Sequence, residues 1–418
     1  MRIRALAVAW LAFTAGGVGA AQAQGAPATV RLAFIDPLSG LMGPVGNNQL
    51  HTWQYVAEMA ARENWAPGVR FEIVPFDNKL SPQESLNDLK SAIDQDIRFV
   101  VQGNGTSVAR ALIGAISKNN ERNPGKEVVF LNYAAVDPDL TNGECTFWHF
   151  RWDANSDMKM EALTNFIARQ KDVHKVYLIN QDYAFGHQVQ RAAREDLAKK
   201  RSDVQIVGDD LHPLAKVTDF SQYVAKMKAA GADTVITGNW GSDLGLLVKA
   251  AHDAGLTANF YTYYAGTTGV PTQIGAAGAE HVNMIYLWQP NIDGFPGESV
   301  VKDFKARYND DFATLAIYNA LRALAEAVRK AGSTDAVRVA YALEGLHVRG
   351  FGGDVEMRAT DHQAQQALYV SSWQKVDGKK VKYDQENTGY GWREEVVVPA
   401  DMASLPTTCQ MQRPPRPN

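Results

Sequence analysis

Residues 30–63, VRLAFIDPLSGLMGPVGNNQLHTWQYVAEMAARE, decide the fold. Val30 to Ile35 is an apolar run of strand length, and a loop of Pro, Ser and Gly ends it. Gly46 to Glu63 then carries Trp53, Val56, Ala57 and Ala60 at helical spacing. The alternation continues. Phe71 to Phe76 predicts a second strand, and Ser81-Pro82-Gln83-Glu84 opens a helix with an N-cap, a first-turn proline and an acidic residue. Phe99 to Gln102 and Val128 to Asn132 predict short buried strands with a helix between them. Such an order builds a parallel sheet covered on both faces.

The same rhythm restarts after Trp152. Helices are expected over Asp157 to Arg169, Gly186 to Lys200, Phe220 to Ala230 and Asp243 to Ala254. The strands between and after them run Val173 to Asn180, Val204 to Leu211, Thr234 to Thr237 and Asn259 to Tyr264. Two consecutive runs predict an α/β protein of two doubly wound lobes. After a strand at Val282 to Trp288, helices return at Glu298 to Tyr308, Thr314 to Ala331 and Val337 to Leu343. Asp377-Gly378 predicts a hairpin between Ala367 to Lys375 and Lys380 to Asp384. A late return to helices and antiparallel strands means that the chain crosses between lobes more than once, with a cleft between them. Met411 to Asn418, basic and Pro-rich, reads as a tail without core potential.

The N-terminus reads as an export signal over residues 1–23. Arg2 and Arg4 precede an apolar stretch from Ala5 to Ala15, and Ala21-Gln22-Ala23 is a small-x-small cleavage pattern. A mature chain starting near Gln24 has no cysteine there for a lipid anchor. No later stretch is apolar over the roughly 18 residues of a membrane span. A soluble periplasmic protein is expected. The 418 residues, less the leader, suffice for two domains, and a formal charge of -4 for the whole chain gives no reason to expect a nucleic-acid or anionic-membrane partner. Cys145 and Cys409 suit one disulfide in an oxidising compartment, two free thiols being the alternative.

Catalytic motifs do not emerge. There is no phosphate loop of the Gly-Lys-Ser/Thr type, no Gly-x-Ser-x-Gly elbow and no His-Glu-x-x-His helix, and the nine histidines stand singly. No enzyme, metal or cofactor is expected. In open α/β sheets ligands sit beyond the carboxyl ends of the strands. Three loops there carry Asp36-Pro37-Leu38-Ser39-Gly40, Gly103-Asn104-Gly105-Thr106-Ser107 and Tyr133-Ala134-Ala135-Val136-Asp137-Pro138. Their hydroxyls, backbone N–H groups and a helix N-terminus suit a carboxylate.

These loops, with Ala134-Ala135-Val136-Asp137-Pro138-Asp139-Leu140-Thr141, Asn180-Gln181-Asp182-Tyr183-Ala184-Phe185-Gly186 and Gly238-Asn239-Trp240-Gly241, resemble the extracytoplasmic binding proteins of branched-chain amino-acid ABC importers. The resemblance covers nearly the whole mature chain. It implies a type I periplasmic binding protein: two Rossmann-like lobes joined by three crossovers and closing on a ligand. Residues 28–152 and 288–357 would form the first lobe, 153–287 and 358–396 the second, and 397–418 a tail. It also implies permease subunits as partners, no nucleic acid and a monomer. The family's carboxylate grip falls on Thr106, Ala134 and Val136, with Ser39, Ser107 and Ala135 beside them. The second lobe's aromatic contacts fall on Phe185 and Trp240, with Tyr183, Tyr263 and Tyr264 as further candidates.

Two departures bear on the ligand. Val136 stands where leucine-binding relatives place a Thr, and Tyr261 to Gly266 lacks the Glu that pairs with the ligand's ammonium. A buried ammonium without an anion costs several kcal/mol. Either Asp182 or Asp243 replaces that Glu, or the ligand is a non-amino carboxylate, such as an aromatic acid stacked on the second lobe's rings. The function expected is capture of a small carboxylate for an ABC importer. A ligand sensor of the same fold is the alternative.

Overall fold

Four-residue strands that are buried along their whole length, such as Phe99–Gln102 and Val129–Asn132, form the centre of the first of two large sheets. A computed structural model describes residues 27–417, so the expected export signal lies outside the described residues. In the first part of the chain, β1 (Ala28–Asp36), α1 (Gly43–Arg62), β2 (Val69–Asp77), α2 (Pro82–Asp94), β3 (Phe99–Gln102), α3 (Thr106–Arg122), β4 (Val129–Asn132) and β5 (His149–Arg151) follow in order. The five strands pair in parallel in the order β2-β1-β3-β4-β5. Strands buried on both faces read as unbroken apolar runs, which is why the sequence displays them so clearly. Helix α2 starts where expected, with the Ser81 hydroxyl accepting the Glu84 N–H at 3.3 Å.

The second sheet follows α4 (Ser156–Ile167). It is built from β6 (Lys175–Gln181), α5 (Ala184–Lys200), β7 (Gln205–His212), α6 (Ser221–Ala229), β8 (Thr234–Thr237), α7 (Ser242–Asp253), β9 (Asn259–Thr262), α8 (Val270–Ile274) and β10 (Val282–Tyr286). Next come α9 (Glu298–Tyr308), α10 (Leu315–Ala331) and α11 (Ala336–Leu343), and α10 packs on α1 of the first lobe. A small antiparallel sheet of β11 (His347–Gly350), β12 (Gly353–Met357) and β13 (Ala364–Gln365) comes after them. The chain then rejoins the second sheet as β14 (Leu368–Lys375) and β15 (Tyr390–Val398), before α12 (Ala400–Ala403). The seven-stranded order is β15-β14-β10-β9-β8-β6-β7, with β14 and β15 antiparallel. Two α/β lobes are therefore joined by three crossings, after β5, β10 and β13. At the first, Arg151 is fully buried and its guanidinium reaches the Gln363 side chain at 2.6 Å.

Two expectations need correcting. The Asp377-Gly378 turn forms, with the Asp377 carboxylate accepting N–H groups of Lys379, Lys380 and Val381. However, Lys380 to Asp384 is not the return strand: β14 pairs with Tyr390–Val398 instead. The tail is also not loose. Met411 packs against the core, Arg413 reaches Glu344 at 2.7 Å, Tyr341 donates to the Pro414 carbonyl, and the Arg416 guanidinium lies 5.0 Å from the Tyr341 ring centroid. Composition had concealed this, because the anchoring partners are on α11 and just beyond it. Cys145 and Cys409 are disulfide-bonded and pin this strap to the first lobe.

Candidate functional site

Loops from both lobes enclose a cavity of about 440 Å³, counting its open mouth. From the first lobe it is lined by Val45, Gln49, Gly103 to Thr106 and Ala134 to Val136, and from the second by Tyr183, Phe185, Trp240, Tyr264, Thr267 and Tyr286. Thr314, ahead of α10, completes it. The lining holds no ionisable carboxylate, lysine, arginine or histidine.

The first-lobe loops are fixed from beneath. Gly46 lies so close to Pro37 that a Cβ would fall 1.8 Å from the proline carbonyl oxygen. Gly103 lies against the Tyr133 ring, where a Cβ would meet carbon at 2.4 Å. Asp36, fully buried, accepts the N–H groups of Gly103 and Asn104, each at 2.9 Å, and the Tyr133 hydroxyl. Gln49 Oε1 accepts from the Asn104 amide at 2.5 Å and lies 3.1 Å from the Tyr133 hydroxyl. The N–H groups of Ala134 and Ala135 are held by the Asn132 side chain at 3.2 and 2.8 Å. Several N–H groups read as free for a ligand are thus already bonded.

The first turn of α3 remains open. Its N-cap is Gly105, with φ of 87°, and no side chain caps it. Thr106, 1% exposed and lining the cavity, has a hydroxyl bonded to no other group among the described residues. Helices α1 and α5 also begin at the cavity without a side-chain cap. Helix N-termini leave N–H groups unsatisfied and carry partial positive charge, so an uncharged cavity placed among them stabilises an anion.

The second lobe supplies rings. Trp240 donates its indole N–H to the Tyr183 hydroxyl at 3.0 Å. Phe185 lies 5.9 Å from the Tyr183 ring centroid and 6.1 Å from that of Tyr264, which lies 6.0 Å from Tyr286. These are edge and tilted contacts of a continuous aromatic wall. Behind it, Lys159 on α4 is fully buried and paired with Asp153 at 2.7 Å. The Tyr264 hydroxyl accepts from Lys159 and contacts Asp153, both at 3.0 Å.

Of the residues expected from sequence, Thr106, Ala134, Ala135, Val136, Tyr183, Phe185, Trp240 and Tyr264 line the cavity. Three do not. Ser39 is exposed, with its hydroxyl turned to Asp77. Ser107 is exposed on the outer side of α3. Tyr263 is fully buried behind the wall and donates to the Ser156 carbonyl at 2.8 Å. Asp182 and Asp243 are not among the lining residues either. Asp182 is on the surface with His187 at 3.0 Å, and Asp243 is committed to Gln181 and the Ala215 N–H. Gln49, Tyr286 and Thr314 were not singled out, although Tyr286 ends a strand and so obeys the strand-end rule.

Burial pushes the Asp36 carboxyl up to about 7, against an ordinary value of 3.8, despite the lowering effect of its hydrogen bonds. With the folded value raised, the stability this group contributes is fully present below pH 4 and is lost as pH rises through 7, by up to about 4 kcal/mol. A carbon-detected NMR titration should place the Asp36 midpoint near neutrality. A midpoint at or below 4 would refute this assignment.

Residues 29–380 match a family model described as periplasmic binding protein. The chain is 31% identical over 406 residues to the Leu/Ile/Val-binding protein homolog 4 of Brucella melitensis, covering 95% of each. The solved closed conformation of a leucine-, isoleucine-, valine-, threonine- and alanine-binding protein from Brucella ovis superposes with a TM-score of 0.80 at 29% identity, over 93% of this chain and 100% of that one. A solute binding protein of an ABC transporter from Rhodopseudomonas palustris BisB5, solved in complex with 3,4-dihydroxy benzoic acid, shares the fold, with a TM-score of 0.76 at 17% identity over 89% of this chain and 98% of that one.

Proposed function

The chain belongs to the periplasmic binding protein family, and from that premise we propose that it is the exported solute-binding component of an ABC importer, capturing a small carboxylate that bears no ammonium. The observation that carries this reading is the cavity itself: open helix N-termini and the Thr106 hydroxyl on one side, aromatic rings on the other, and no carboxylate in the lining. The family is one of non-catalytic binding proteins, and the site supports capture rather than turnover. The ligand's carboxylate meets Thr106 and the first turn of α3, while its apolar or planar body lies against Phe185, Trp240 and Tyr264. Permease subunits in the membrane receive the closed complex on the outer side. Contacts from the second lobe supply the differential affinity that closure requires.

A thermal-shift screen of the mature protein tests this reading. Benzoate-like and aliphatic keto acids should raise the melting temperature more than leucine at equal concentration. A ligand at about a hundred times its Kd adds roughly 2.7 kcal/mol. Tight binding of leucine or isoleucine would overturn the non-amino assignment, and binding of amides alone would overturn the carboxylate.

Thr106→Val removes the hydroxyl that this reading assigns to the carboxylate. Loss of a charge-assisted hydrogen bond costs roughly 1.5 to 3 kcal/mol, a tenfold to hundredfold weaker Kd by calorimetry with an unchanged ligand-free melt. An unchanged Kd would reduce Thr106 to a helix-starting residue.

A further inference from the structure

We infer that Lys159 supplies an internal ammonium that fills the place a ligand's ammonium would need, and so makes the cavity selective for carboxylates without one. This rests on the carboxylate-binding reading above and adds a residue outside the cavity lining as its selectivity determinant. Lys159 is fully buried, and its Nζ is satisfied by the Asp153 carboxylate at 2.7 Å and the Tyr264 hydroxyl at 3.0 Å. The same atom lies 4.3 Å from the ring centroid of Tyr264 and 5.3 Å from that of Tyr286, two rings that line the cavity. A carboxylate with surrounding tyrosine rings is the chemistry that holds an organic cation. Here that arrangement lies against two rings of the cavity lining, and it is already occupied by the chain.

The consequence is electrostatic. Nζ lies over the faces of two rings of the aromatic wall, while the Asp153 carboxylate meets the Tyr264 hydroxyl at the rim of one of them, so a second ammonium stacked on those faces meets a like charge in a poorly solvated setting. A carboxylate meets a favourable field there, added to that of the helix ends. The pair also consumes the Tyr264 hydroxyl, which leaves that ring to present carbon to the ligand.

Calorimetry with acids that differ only by an ammonium tests the inference: 4-methylpentanoate against leucine, and 3-phenylpropanoate against phenylalanine. In the unaltered protein the non-amino member of at least one pair should bind at least tenfold tighter. Lys159→Met leaves the Asp153 carboxylate behind the wall and should narrow that preference tenfold or reverse it. Asp153→Asn leaves the cation uncompensated and should widen it. The doubly substituted D153N/K159M leaves no buried charge unpaired, so it keeps the test open where a single variant fails to fold, and its preference should be smaller than that of the unaltered protein. A merely structural role for the pair would weaken both members of a pair equally. Equal weakening, or an unchanged preference in every folded variant, overturns the inference while the carboxylate reading stands. Failure of all four acids to bind the unaltered protein overturns both.

Discussion

Replacing Cys145 and Cys409 together by serine should lower the stability of the protein by up to about 5 kcal/mol, because the bond closes a loop of 264 residues and chain entropy rises with loop length. For a protein of this size that corresponds to a fall of roughly 6 °C in melting temperature. The strap that the bond pins has other anchors. Asn142 accepts the Thr408 N–H at 3.0 Å, Arg358 reaches the Leu405 carbonyl at 2.8 Å, and Arg413 reaches Glu344 at 2.7 Å. The strap should therefore loosen rather than detach, with hydrogen exchange rising over residues 404–417. Neither cysteine lines the cavity, so ligand affinity should hold. Scanning calorimetry with and without reductant decides it: coincident melts would mean that the bond adds nothing to the native anchors.

How much of this was legible beforehand follows from where each signal resides. The buried parallel strands were plain, since residues such as Phe99 to Gln102 and Thr234 to Thr237 are covered on both faces and bounded by turn residues. The Asp377-Gly378 signal was real but local. Asp377 closes its own turn, whereas pairing of β14 is decided by which segment reaches the sheet edge, and Tyr390–Val398 reaches it. At the site, residue type and strand-end position marked eight of the lining residues. They could not separate Ser107 from Thr106, because one residue along a helix turns a side chain by about 100° and only packing says which faces the cleft. Lys159 was illegible for a related reason. A lysine on a helix is ordinarily solvated, and its counter-ion Asp153 and the tyrosine rings come together only when α4, β9 and β10 converge.

The largest effect on binding is expected at a position that need not touch the ligand. Gly241 precedes α7 with φ of 57° and ψ of -145°, a conformation almost confined to glycine. A Cβ there would fall 2.5 Å from the Met42 sulfur and 3.7 Å from Val45, both on the first lobe, so the second lobe's backbone rests directly on the first. Met42 is 2% exposed, so a side chain at position 241 must displace its sulfur. Gly241→Leu should act on closure: the separated lobes tolerate the added carbons, and the closed complex does not. If binding requires that closed form, a cost of about 3 kcal/mol or more on it alone weakens apparent affinity a hundredfold or more. The ligand-free melt should move far less, because the strain of a side chain at this φ is of order 1–3 kcal/mol against the stability of a whole lobe. Small-angle scattering of the variant with ligand should retain the dimensions of the ligand-free protein. Adding Met42→Ala to Gly241→Leu should recover about tenfold in affinity by removing the sulfur that the new side chain meets. If Gly241→Leu binds like the unaltered protein, the Met42–Gly241 contact is not part of the ligand-bound state. If Met42→Ala rescues nothing, the loss arises in the backbone beside Trp240 rather than across the cleft.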